Sequence, residues 1–138
     1  MSPEQLLGSV DFPEDDIVVA DFEAGVGTLT RLGEENVDTV VIVVEATPKS
    51  LEVGARAAGL AQDKTVGRIV VVANRIRGQE DLETVKAAFP GLEVVGVPHD
   101  PKIVEADRKG VAPIDLDPDA PAVKALVGLA STLLPHSN

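Results

Sequence analysis

These 138 residues predict an α/β domain: a mostly parallel sheet of four strands, or slightly more, with flanking helices. Three observations carry that prediction. Four short Val-rich runs recur along the chain, each bounded by Gly, Pro, Asp or Asn, as strands are. The two middle runs are apolar at almost every position instead of alternating, the mark of a strand covered on both faces. Stretches with helical periodicity separate the later runs, and strand–helix alternation argues for a parallel sheet.

The first run, residues 17–21 (IVVAD), ends in an aspartate, and the second spans residues 39–45 (TVVIVVE). Thr47 and Pro48 then suit the N-cap and first helical position of a helix over residues 48–62, with Leu51, Ala55, Ala58 and Leu60 near helical spacing. The third run is 68–74 (RIVVVAN). A helix over 79–89 follows, with Leu82, Val85 and Phe89 on one stripe and Pro90-Gly91 as its stop. The fourth run is 92–98 (LEVVGVP). A helix over 101–109 should end at Gly110, a left-handed C′ residue, and a last helix over 119–134 carries Val123, Leu126, Val127, Ala130 and Leu134 before Pro135. Residues 115–119 (DLDPD) read as a solvated acidic loop. The expectation is one domain over 1–138, with residues 1–15 as an extension or covering segment and 135–138 as a tail.

Composition excludes several classes. Hydrophobic residues make up 44% of the chain and charged ones 25%, enough for a packed core, but with three Phe and no Trp or Tyr the core must be aliphatic. Twenty-three acids against twelve bases give a formal charge of −11, which opposes nonspecific binding to nucleic acid or to an anionic membrane surface. There is no cysteine, so thiolate chemistry and Cys-based metal sites are excluded from these residues. The start, MSPEQLLGSVDFPEDD, lacks the basic-then-apolar pattern of a secretory signal, and no apolar run approaches the ~20 residues that span a bilayer. A cytoplasmic protein is the expectation.

Ligands of parallel α/β sheets bind beyond the carboxyl ends of the strands. Those ends carry Asp21 with Glu23, Glu45 with Thr47, Asn74 with Arg75, and Pro98 with His99 and Asp100. An apolar strand ending in Asp21 and followed by Phe22-Glu23-Ala24-Gly25 has the form of a Walker B strand and its switch loop. There a carboxylate holds a water of hydrated Mg²⁺, and a glycine lets backbone N–H groups approach the γ-phosphate. Apolar strands ending in Asp are also common without that chemistry, and Asn74 reads equally well as a turn residue at a strand end.

In combination, segments 21–32 (DFEAGVGTLTRL), 43–51 (VVEATPKSL), 70–75 (VVVANR) and 96–110 (GVPHDPKIVEADRKG) resemble, in order, the C-terminal portion of the MinD/ParA-type P-loop ATPases. The likeness is strongest to the CooC-like branch that matures carbon monoxide dehydrogenase, and it runs from about residue 16 to 134. It implies a partial P-loop NTPase (SIMIBI-like) fold. By the same likeness Asp21 and Glu23 take the catalytic Walker B and switch positions, with Asp21 reaching Mg²⁺ through water. Gly25, Asn74, Arg75, Pro98 and Asp100 fall in the nucleotide-binding segments. Asn74 would read the adenine, whose edge its carboxamide matches with one donor and one acceptor, and the Pro98–Asp100 loop would wall the base.

The family's opening GKGGxGKT-type loop, whose backbone N–H groups and lysines cradle the phosphates, has no counterpart in the 138 residues. Gly25-Val-Gly27 follows the Walker B strand and lacks the Gly-Lys-Ser/Thr ending. The chain alone is therefore expected to bind ATP or ADP with Mg²⁺ weakly and not to hydrolyse it. It also lacks the basic C-terminal membrane helix of MinD, a basic DNA-binding face, and the Cys-x-Cys motif of some CooC proteins.

In the family the P-loop strand lies between the Walker B strand and the strand at 39–45. Without it, a simple strand progression would put the connecting helices on one face. The other face, formed by Val40, Ile42, Val44, Ile69 and Val71 or their alternates, would be left bare. A homodimer, or a partner chain covering that face, is expected, unless Leu6, Leu7, Val10 and Phe12 fold back over it. The rival function is a non-enzymatic α/β module for protein interaction or dimerisation.

Overall fold

The computed structural model describes residues 17–19, 37–63 and 67–134. Three parallel strands form the sheet in the order β1-β2-β3: β1 (Thr39–Val44), β2 (Arg68–Ile76) and β3 (Glu93–Pro98). β1 is followed by α1 (Pro48–Gln62) and β2 by α2 (Gln79–Ala88). After β3 come α3 (Pro101–Lys109), the one-turn α4 (Pro113–Leu116) and α5 (Pro121–Leu133).

Local chemistry accounts for the helix ends. The Thr47 hydroxyl accepts from the Ser50 N–H at 3.3 Å, and Pro48 occupies the first turn of α1. Gly110 ends α3 in the left-handed region, φ 65°, where it carries no Cβ penalty. The acidic loop expected at 115–119 is partly helical: Pro113 starts one turn that includes Asp115. Asp117 then accepts from the Asp119 N–H before α5 begins.

Two cores lie on the two faces of the sheet. On one, Ile42, Val44, Val71 and Ala73 meet Ala58 of α1, Val85 of α2 and Phe89. On the other, Val70, Val72 and Val97 meet Ala122 and Leu129 of α5. β2 is thus buried on both sides, as its unbroken apolar run requires: Val70 to Ala73 are at most 3% exposed.

Of the four expected strands, three form. Ile17, Val18 and Val19 are exposed and outside the sheet; residues 20–36 lie outside the described set, as do 1–16, including the expected cover, and the 135–138 tail. Valine content alone does not make a strand, which needs an edge to pair with. The expectation for the bare face is refined in the same way. α1 and α2, which connect consecutive strands, share one face and bury Ile42, Val44 and Val71. The chain returns in α5 to cover the other face over β2 and β3, leaving only Val41 (39% exposed) and Val43 (61%) of β1 uncovered. No described helix is long and apolar enough to cross a membrane.

Candidate nucleotide-binding edge

The carboxyl ends of the three strands bring Glu45, Asn74, Arg75, Pro98, His99 and Asp100 to one edge of the sheet. Four of the seven expected site residues are therefore described there: Asn74, Arg75, Pro98 and Asp100. Asp21, Glu23 and Gly25 fall outside the described residues.

Asn74 and Arg75 sit in a β-bulge. Ala73 pairs with Gly96 and Ile76 with Pro98, so two residues of β2 oppose the single Val97 of β3. Bulges of this kind re-aim side chains and occur beside functional sites. Pairing resumes beyond it, since the His99 N–H donates to the Ile76 carbonyl at 2.9 Å. This is why β2 runs to Ile76, two residues past the strand end read from sequence. Arg75 takes φ 57°, and its Nη1 lies 3.1 Å from Oε1 of Glu45, joining the ends of β1 and β2. The Glu45 N–H in turn donates to the Ser50 hydroxyl at 2.8 Å, which ties the end of β1 to the first turn of α1.

Asp100 is the buried acid of the described residues, 7% exposed. Its two oxygens are divided between two helices: Oδ1 accepts from the Lys102 N–H in the first turn of α3, and Oδ2 from the Ala122 N–H at the start of α5, each at 3.0 Å. The Ala122 N–H first, and the Lys102 N–H second, hold its carboxyl below the ordinary aspartate value. With both oxygens engaged, Asp100 fixes the loop after Pro98, and any part it takes in a base pocket is as the anchor of that wall.

Sequence reasoning noted Glu45 at a strand end but gave it no role; only the fold brings it against Arg75, thirty positions on. The bulge was equally unreadable, because arginine is not a residue that favours the left-handed region. Among the described residues no group of three His, Cys, Asp or Glu side chains could hold a metal ion. Two apolar hollows lie elsewhere: one of about 250 Å³ between α4 and α5, lined by Ile114, Leu126 and Val127, and one of about 150 Å³ lined by Ala58, Gln62 and Phe89. Neither includes an edge residue.

A parallel sheet flanked by helices, with its polar residues gathered at the strand ends, is the α/β plan of the P-loop NTPases, and the comparisons agree. The fold matches MinD cell division protein of Aquifex aeolicus with a TM-score of 0.64 and 24% identity, over 83% of this chain and 50% of that one. It matches the MinC:MinD cell division protein complex of the same organism with a TM-score of 0.59 and 28% identity, over 73% and 44%. In sequence the chain is 36% identical over 120 residues to the ATP-binding protein MJ0823 of Methanocaldococcus jannaschii, covering 84% of this chain and 46% of the relative. It is 33% identical over 102 residues to the carbon monoxide dehydrogenase accessory protein CooC of Rhodospirillum rubrum, covering 73% and 39%. No family model matches. The chain is therefore homologous to part of the MinD/ParA-type P-loop ATPases, with ATP-binding proteins and CooC among its relatives, and it spans half or less of the length of those relatives.

Proposed function

We propose that the chain is the adenine-side portion of a CooC/MinD-like ATP-binding domain. The observation that carries this reading is the bulge presenting Asn74 and Arg75 together at the carboxyl end of β2, in a chain whose relatives include ATP-binding proteins. Asn74 reads the edge of the adenine, and the Pro98–Asp100 loop, held by its two helix caps, walls the base. Asp21 meets Mg²⁺ through water, with Glu23 and Gly25 in the switch segment beside it. ATP, when bound, supplies the phosphoryl group. The phosphate cradle, absent from these 138 residues, comes from another segment or polypeptide, so the chain alone does not turn over. The setting by resemblance is metallocentre maturation, as for carbon monoxide dehydrogenase, in the cytoplasm. The whole of 1–138 acts as one domain.

Without a cradle the affinity rests on the base and ribose, and a dissociation constant on the order of 1 mM is expected. Titrating the ¹⁵N-labelled chain with Mg-ADP and following amide shifts measures it. Asn74→Ala should weaken binding about tenfold, and phosphate release at saturating Mg-ATP should stay at background. Turnover at ordinary ATPase rates would refute the reading. The exposed Val41 and Val43 on β1 favour a second one, a non-enzymatic module that dimerises or binds a partner chain through that face. Under it Mg-ADP shifts nothing, Asn74→Ala is silent, and Val43→Asp alters the sedimentation behaviour.

A further inference from the structure

Arg75 is the only non-glycine residue in the left-handed region among the described residues. A Cβ there costs on the order of 1 kcal/mol or more. Its ion pair with Glu45 does not account for that cost. The two side chains are 57% and 43% exposed, and such pairs contribute about 0–1 kcal/mol. The bulge has a further consequence. In a regular strand successive side chains point to opposite faces; with Asn74 and Arg75 both set against Val97, that alternation is interrupted at this step.

We propose that Arg75 is a platform for the face of a purine base whose edge is read by Asn74, and that Glu45 is a positioning residue that holds the guanidinium plane in place. The inference rests on the adenine-side reading above and deepens it. A purine whose edge meets Asn74 has its ring face one residue away, and guanidinium planes stack on aromatic faces. The neighbouring charge selects the face over a phosphate. Glu45, 3.1 Å away, already neutralises Arg75 in a chain of formal charge −11, so an arriving anion is repelled where a neutral ring is not. Holding a long side chain in one geometry before the base arrives also removes part of the ordering cost of binding.

The test is an NMR titration of the whole chain with adenosine, ADP and ribose 5-phosphate. The variants are Arg75→Gly, Arg75→Lys, Glu45→Gln, Asn74→Ala and the double variant Glu45→Gln/Arg75→Gly, each with a thermal melt. Arg75→Gly should weaken adenosine and ADP alike, about fivefold or more, while its melting temperature stays within about 3 °C, since glycine enters the left-handed region freely. Arg75→Lys should lose nearly as much, because an ammonium has no planar face. Glu45→Gln should weaken both ligands about twofold and add nothing in the Arg75→Gly background. Loss of ADP binding alone, or ribose 5-phosphate binding that depends on Arg75, would make Arg75 a phosphate ligand and overturn the platform. So would unchanged binding by Arg75→Gly while Asn74→Ala still weakens it, an outcome that leaves the adenine-side reading standing. A melting temperature that collapses in Arg75→Gly would make the residue structural. Absence of any wild-type response at about 10 mM adenosine would overturn the adenine-side reading, and the platform with it.

Discussion

Asp100→Ala should lower the melting temperature by about 10 °C or more, followed by far-ultraviolet circular dichroism. The substitution removes one carboxylate from two helix starts. The Ala122 N–H sits on a residue that is 1% exposed, so it loses its acceptor where water cannot readily replace it. The Lys102 N–H loses the N-cap of α3 as well. Asp100→Asn should fall between the two, since its single carboxamide oxygen can serve only one of these donors well. A melting temperature within 2–3 °C of the parent would show that the shared cap is not what ties α3 and α5 to the end of β3.

The same carboxylate sets a pH dependence whose sign follows from its depressed value in the folded chain. Unfolded, it titrates near the ordinary aspartate value of about 3.9. The stability it contributes is complete above that value and is lost as pH falls through the lower folded value. Melting temperatures of the parent should therefore fall more steeply below about pH 4 than those of Asp100→Asn, which has no proton to gain there. Glu93 and Glu105 are lowered in the same direction, by hydrogen bonds from Arg68 and from Lys109 and Lys102 respectively. They are surface acids, so solvent screening leaves Asp100 the larger difference between the curves.

Gly54→Val should destabilise the chain by about 3 kcal/mol in urea denaturation. Gly54 lies where α1 presses on β1. A Cβ there would run into Cγ1 of Val44 and come within 3.1 Å of Cζ of Phe89. Those neighbours are 2% and 3% exposed and so are held on all sides. The valine branches add further atoms to a site that has no room for the first. Gly59→Ala in the same helix is the control: nothing lies within 4 Å of its added Cβ. There helix propensity acts alone and should stabilise by about 0.5–1 kcal/mol. Equal effects at the two positions would mean that α1 is not seated as described.

Much of the fold was legible in sequence because its signals are local. Thr47-Pro48 at one end of a helix and Gly110 at the end of another act through the groups beside them, and both helices begin and end where those residues require. The unbroken run in β2 announced burial on both faces. The same pattern in β1 did not have that outcome, because whether a strand face is covered depends on where a distant helix comes to rest. α5 settles over β2 and β3, and Val43 stays exposed. Residues 17–19 make the same point, having strand composition with no described pairing.

The edge divides in the same way. Residue type and order identified Asn74, Arg75, Pro98 and Asp100 as strand-end groups, and the family resemblance read from them agrees with the relatives found. What the fold alone decided is how they are used. Asp100 turned from a rim acid into a cap shared by helices whose bonded residues are 20 positions apart. Glu45 met Arg75 across two strand ends, and the bulge put Arg75 into a backbone region its side chain disfavours. The amino-acid order by itself fixes propensities, caps and the apolar pattern, which act over a few residues. Shared acceptors, cross-strand ion pairs and packing limits such as that at Gly54 arise between segments far apart in the chain, and they exist only once burial has brought those segments together.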